Sequence, residues 1–452
     1  MGYRKRIPLA AALLGLVVML GAAATASART EGGSSAEATV TLRTMGFALP
    51  DEIARVRVDL AKAAVAPAQV DMDTAGFDEQ KFLSAVASGN PPDLVYMSRN
   101  FIGQYAKRGA LIPLTSCIRT QRIPMSQFRQ FAVRETTFNG VVYGIPEFNQ
   151  SRTIIINRKA RIAAKLPLTA FNTQNWATIT RTNRVLMRKS GDKVTRIGFD
   201  PKLPEFFPLW AKANGVSILS ANGRTSNLSD PRAIAALTYA MSLIRAHGGW
   251  GPFKSFRDTW DFFGAKNQVI ENQIGAWPME EFYYATLARV SPAARIDAVP
   301  FRGRNGKVLN YSTGNAWAIP RGSDNQAQAC EWMKVMTATN SWVRAAEARK
   351  AARKAQNAPF LPVWTANKNA DRQIVRNIYE PQGNRDFNRA VNMILRVQAS
   401  GFIVPSSAAG NEFQTIWMEA VNRVLNGQQS PAAALQQADR AAQAALDRAN
   451  RG

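Results

Sequence analysis

Residues able to do covalent chemistry are scarce in this 452-residue chain, and the scarcity limits the reactions open to it. There is one histidine, His247, in the segment RAHGGWG, where a helix runs out into glycines. A helix C-terminus favours a cationic or hydrogen-bonding side chain, so His247 reads as a structural residue. Ser-His-Asp and Cys-His catalysis would both rest on that single imidazole. Two distant cysteines, Cys117 and Cys330, and one histidine make no zinc-ligand spacing, and there is no phosphate-binding or dinucleotide glycine fingerprint. No metal and no cofactor is therefore expected. Paired carboxylates of the kind that cleave glycosidic bonds remain open, with Glu147, Glu205, Glu280 and Glu281 as candidates, but the sequence sets no distance between them.

The aromatic residues say more. Several fall beside Gly, Asn and Glu at expected strand ends: Trp277 with Glu280, Phe282 and Tyr283, and Trp317 in TGNAWAIP. A flat aromatic face next to amide and carboxylate acceptors suits a sugar, whose ring has an apolar face and a hydroxyl edge. For any one of these tryptophans a place in the core explains it equally well.

The elements that would position such residues are legible around FDEQKFLSAVASGNPPDLVYMSRN, residues 77–100. Asp78 is an N-cap, and Phe82, Leu83, Val86 and Ala87 make one apolar stripe at helical spacing. Gly89 ends that helix, Pro91-Pro92 cannot continue it, and Leu94-Val95-Tyr96 is a short buried strand. Strands over 39–43 and 70–72, with a helix from about Asp51, complete a βαβαβ start and a parallel sheet. Ligands in such sheets bind beyond the carboxyl ends of the strands, which points to residues 97–100. Asn139-Gly140 marks a hairpin turn, and 153–156 is a further strand. Helices near 176–187 and 233–246 precede strands at 274–277, 296–299 and 316–319. Strands in both halves imply two α/β lobes. From Glu412 the tail is helical, broken at Gly427 and restarted at Ser430-Pro431.

Composition sets the setting. Arg4, Lys5 and Arg6, an apolar run over 7–24 and Ala26-Ser27-Ala28 read as a secretory signal spanning 1–28, with no lipoprotein cysteine at its exit. Export would put Cys117 and Cys330 where a disulfide can form, although sequence does not show that they meet. The formal charge of +25 reads as general surface charge, since no nucleic-acid motif accompanies it.

In this order, DEQKFLSAVASGNPPDLVYMS, YAKRGALIPL, FNGVVYGIP followed by IIINR, TGNAWAIPRGSDNQAQACEWMKVM and NGQQSPAAALQQA resemble the extracellular solute-binding proteins of family 1, the maltose-binding-like receptors of bacterial ABC importers. The resemblance implies an α/β, two-lobed periplasmic-binding-protein-like fold (type II), with hinged lobes and a central ligand cleft. By position, residues 37–149 plus 299–338 would form the N-terminal lobe and 150–298 plus 339–452 the C-terminal lobe. It implies a monomeric, non-enzymatic receptor that captures a sugar or oligosaccharide outside the cytoplasm and delivers it to a membrane permease. Within the same fold, Arg99, Arg152 and the positive charge suggest an anionic or phosphorylated polyol instead; a secreted glycoside hydrolase is the alternative from another class. Ligand contacts are expected from Thr44 and Met45 after the first strand, Met97, Ser98, Arg99 and Asn100 after the third, and Asn149 and Gln150 at the first crossover. Glu205, Phe207 and Trp210, the loop of Trp277, Glu280 and Tyr283, and Gly314, Asn315 and Trp317 complete the expected site.

Overall fold

The structure is a computed structural model that describes residues 40–381 and 383–451, so the expected leader lies outside the described residues. The strands are, in chain order, β1 (Thr41–Met45), β2 (Gln69–Asp73), β3 (Leu94–Ser98), β4 (Thr137–Phe138), β5 (Val141–Val142), β6 (Ile145–Pro146), β7 (Arg152–Asn157), β8 (Arg188–Ser190), β9 (Lys193–Phe199), β10 (Ile274–Glu280), β11 (Ile296–Val299), β12 (Asn310–Tyr311), β13 (Asn315–Ala318) and β14 (Gly401–Phe402). Two five-stranded sheets carry the fold, ordered β2-β1-β3-β13-β6 and β11-β7-β10-β9-β8.

The first sheet is built as its local signals dictate. Asp51 caps helix Glu52–Val65 by accepting from Ala54 N at 3.1 Å, and Asp78 caps helix Glu79–Ala87 by accepting from Lys81 N at 2.9 Å. Gly89 stops the second helix with φ +73°. The returning β3 lies parallel to β1, and β2 flanks β1 on the other side. The late strand β13 then inserts antiparallel beside β3, pairing Asn315 with Ser98 and Ala318 with Val95. A strand from beyond residue 300 thus completes a sheet begun at residue 41.

In the second sheet every residue of β7 is buried, as its run Thr-Ile-Ile-Ile requires of a strand covered on both faces. β10 runs antiparallel to β7 and parallel to β9. The β8–β9 hairpin was not expected from sequence. Its stretch RKSGDKVTRIGF is crowded with exposed charges, yet Val194, Ile197 and Phe199 turn inward onto the core.

Residues 339–452, expected together in the C-terminal lobe, pack in two separate clusters. Helix Thr339–Ala355 packs on helix Glu52–Val65, where Trp342, Ala345 and Ala346 form one buried cluster with Ile53, Ala370, Ile374 and Ile378. The Arg57 guanidinium lies 3.6 Å from the Trp342 ring centroid, a cation–π contact that fixes this docking. Helices Arg385–Gln398, Gly410–Leu425 and Pro431–Arg451 do join the second core.

Cys117, in helix Thr115–Thr120, is bonded to Cys330, in helix Gln326–Thr337, with their Cα atoms 5.6 Å apart. The bridge closes a span of 213 residues across the first core. Replacing both cysteines by serine should cost about 2–4 kcal/mol. Urea unfolding monitored by circular dichroism checks this, and an unchanged midpoint would show that the thiols stay apart in solution.

Candidate functional site: the cavity at the crossover

Two extended segments, 147–152 and 310–315, carry the chain between the sheets and run side by side. Gln150 N donates to Thr313 O at 2.8 Å and Glu147 N to Asn315 O at 3.0 Å. Gly314 is required here, because a Cβ on it would stand 2.1 Å from Phe148 O and 2.4 Å from an Arg99 guanidinium nitrogen. Beside this crossing lies a cavity of about 250 Å³. Ser98, Asn100 and Glu135 line it from the first-sheet side, and Tyr311 and Thr313 from the crossing. Leu219, Phe413, Gln414 and Trp417 line it from the second core. Residues Val404, Pro405 and Ser407, from the strap leading into helix Gly410–Leu425, close the remaining wall.

Charges around the cavity are paired. Arg99 is wholly buried; it donates to Glu135 at 2.6 Å, to Phe148 O at 2.6 Å and to Asn149 Oδ1 at 3.3 Å. Burial holds the Glu135 carboxyl above its ordinary range, against the opposing pull of Arg99. Arg152 pairs with Glu280 at 3.1 Å and donates to Thr313 Oγ1 at 3.0 Å, and Thr313 in turn donates to Gln150 Oε1 at 2.8 Å. Polar capacity is left over for a ligand. Ser407 Oγ and Asn100 Oδ1 are buried and have no hydrogen-bond partner among the described residues. Asn100 Nδ2 donates to Gln414 Oε1 at 2.5 Å, and Asn411 donates across to Gln104 and Glu79, so helix Gly410–Leu425 is hydrogen-bonded to the first-sheet side.

Of the residues expected to contact ligand, Ser98 and Asn100 line this cavity; Arg99 and Gln150 hydrogen-bond to the lining residues Glu135 and Thr313, while Asn149 meets Arg99 and Ser312, and Glu280 meets Arg152. Gly314 and Asn315 shape the crossing. Met45 and Met97 are core residues packed with Phe82, Ile102 and Tyr105, and Thr44 is buried under them. Trp317 is enclosed by Phe47, Tyr96 and Trp332, with ring centroids 5.0–6.1 Å away. Trp277 packs edge-on against Tyr283, and Trp210 donates to Pro201 O at 2.9 Å; none of the three lines the cavity. Phe207 backs Trp417 at 6.1 Å, and Glu205 is exposed.

The aromatic residues that do line it, Tyr311, Phe413 and Trp417, were not singled out from sequence. Tyr311-Ser312-Thr313 directly precedes Gly314, which offered a usable signal. Helix Gly410–Leu425 offered none, because its apolar spacing is that of any packed helix. His247 is fully buried; its Nδ1 lies 2.9 Å from Leu243 O and its Nε2 accepts from Gly198 N at 3.1 Å, which fixes one neutral tautomer. Burial lowers its pKa, as this structural role requires. Among the described residues no cluster of His, Cys, Asp or Glu could hold a metal, and no helix is long and apolar enough to cross a membrane.

The model of the bacterial extracellular solute-binding proteins matches residues 72–340, more than half of the chain. The protein belongs to this family. Its two-lobed fold recurs in solved structures. CpMnBP1 with mannotriose bound matches with TM-score 0.71 and 20% identity, over 89% of this chain and all of that one. The ABC substrate-binding protein Lmo0181 from Listeria monocytogenes, in complex with cycloalternan, matches with TM-score 0.70 and 17% identity over 92% and 99%. UgpB from Mycobacterium tuberculosis, in complex with glycerophosphocholine, matches with 0.67 and 16% over 91% and 99%. No curated protein matches the chain.

Glu281, next to the site, is almost wholly buried and accepts a hydrogen bond from Ser151 N. Burial is the largest cause raising its pKa from 4.5 to about 8. A carboxyl with a raised folded pKa contributes stability that is complete below about 4.5 and lost as pH rises through about 8. Glu281→Gln keeps the shape without the charge. Its melting temperature relative to wild type should therefore climb between pH 5 and 9 in scanning calorimetry, and a pH-independent difference would show an ordinary carboxyl.

Proposed function

We propose that this solute-binding protein is the receptor of an ABC importer that captures an uncharged sugar or oligosaccharide, without chemically altering it, and hands it to a membrane permease. The observation that carries the reading is the crossover cavity, where the rings of Tyr311, Phe413 and Trp417 line the wall together with Asn100, Gln414, Ser407 and Glu135. Apolar ring faces with hydroxyl-matched acceptors and donors are what a sugar ring asks for. Oligosaccharide ligands in CpMnBP1 and Lmo0181, of the same fold, support the choice of solute class.

The two arginines that suggested an anionic ligand are already neutralised, Arg99 by Glu135 and Arg152 by Glu280, so the cavity favours an uncharged occupant. A paired-carboxylate hydrolase finds little support. Glu135 is the one carboxylate among the described residues lining the cavity, and Glu147 is held by Arg57 and Tyr96. We further propose that residues 1–28 are a cleaved export signal and that the mature chain acts as a monomer. The first lobe is taken as about 40–149 plus 299–378, and the second as 150–298 plus 385–451. Closure then works through contacts made from both sides, Asn100 with Gln414 above all, since a ligand can favour the closed form only through interactions specific to it.

Thermal unfolding against a panel of neutral sugars, polyols, phosphorylated polyols and amino acids tests this. At 100 times its dissociation constant a ligand adds about 2.7 kcal/mol, a shift of a few degrees. A shift with neutral sugars is expected, and one confined to phosphorylated compounds would overturn the reading. Gln414→Ala should keep the fold and weaken sugar binding at least tenfold by calorimetry. Trp317→Ala should instead cost about 3–5 kcal/mol of stability, as a core tryptophan does.

A further inference from the structure

A second cavity, of about 670 Å³, adjoins the first. The strap 402–407 is the partition between them. Val404 and Ser407 face the crossover cavity, Phe402, Ile403 and Ser406 face the second, and Pro405 and Leu219 border both. The strap is pinned from both sides. A Cβ on Gly401 would meet the Phe131 ring at 2.1 Å, and a Cβ on Gly223 would meet Ser406 O at 2.1 Å. Helix Gln130–Glu135 and the β4–β5 hairpin of the first lobe therefore face the loop 217–224 of the second lobe across a fixed floor.

The walls of this second cavity carry Arg134 from the first lobe and Lys212 and Arg224 from the second, and among the described residues no carboxylate lines it. Lys212 Nζ donates to Ser217 Oγ at 2.8 Å and lies 5.9 Å from the Phe402 ring. The side chains of Arg134 and Arg224 take part in none of the hydrogen bonds or ion pairs found among the described residues, and both are exposed. The contrast with the first cavity is physical. There each arginine has its carboxylate, and Glu135, the neighbour of Arg134, turns to Arg99. Here the cations are uncompensated. Arg224 also sits on an ordered loop, whose backbone is held by Ser220 Oγ and Asn222 Oδ1.

We propose that this cavity is a second binding site, for a small multivalent oxyanion, separate from the solute site. Guanidinium groups present forked donors that match phosphate and carboxylate oxygens, and an anion between Arg134 and Arg224 ties the two lobes together. Because Leu219 and Pro405 border both cavities, occupancy of this site biases the closure that the solute uses. The proposal does not rest on the sugar reading.

Pyrophosphate is the probe, titrated against the mature protein in calorimetry and thermal unfolding at constant ionic strength set with sodium chloride. Saturable binding and a rise of a few degrees in melting temperature are expected for wild type. Arg134→Ala and Arg224→Ala should each weaken pyrophosphate at least tenfold. Arg181→Ala, at an exposed arginine of helix Trp176–Leu186 outside the cavity, should bind as wild type does. No binding by wild type overturns the proposal, and so does an equal loss in all three variants, which marks diffuse attraction to a basic surface. The sugar response, read in the same variants without pyrophosphate, reports on the solute site.

Discussion

Everything in this molecule depends on how two strands can pass from one sheet to the other without leaving backbone groups unpaired. The segments 147–152 and 310–315 solve this by pairing with each other, and side chains complete the set: Arg152 N donates to Asn310 Oδ1 at 2.8 Å and Ser312 Oγ to Asn149 Oδ1 at 2.6 Å. Buried peptide groups have to be satisfied, and here they are satisfied away from either sheet. The approach needed for that pairing leaves no room for a side chain at Gly314.

The same crossing explains the electrostatics of the cavity beside it. Arg99 and Arg152 are needed to hold carbonyl and amide groups of the crossing, and a buried cation without a partner would be costly. Glu135 and Glu280 supply the partners, so the cavity beside the crossing is polar and close to neutral. On the other side of the strap that constraint lapses. Arg134, Lys212 and Arg224 stand at a solvent-reached surface where unpaired charge costs little, and they remain free to meet an anion.

Much of the local structure was legible in the residues. Asp51 and Asp78 cap their helices, Gly89 ends one, Asn139-Gly140 turns the hairpin with φ +48° and +79°, and the β-prone run at 153–156 is a buried strand. These signals act within a few residues and owe nothing to the rest of the chain. That Ser98 and Asn100 line a cavity has a related reason: they follow the carboxyl end of a parallel strand, where such sheets leave a crevice.

The aromatic side chains were a different matter. A tryptophan beside Gly and Asn has the same local description whether it meets a sugar or another ring, and only packing distinguishes them: Trp317 meets Phe47, Tyr96 and Trp332, and Trp417 meets the cavity. The sequence by itself determined the caps, turns, strand ends, the two-lobed class and the narrow chemistry of a chain with one histidine. The tertiary structure alone decided the docking of helix Thr339–Ala355 on the first core, the union of Cys117 with Cys330, and which side chains face the cavity. The reason is distance along the chain. Asn100 and Gln414 are 314 residues apart, and their hydrogen bond exists only because two separately built cores are brought edge to edge.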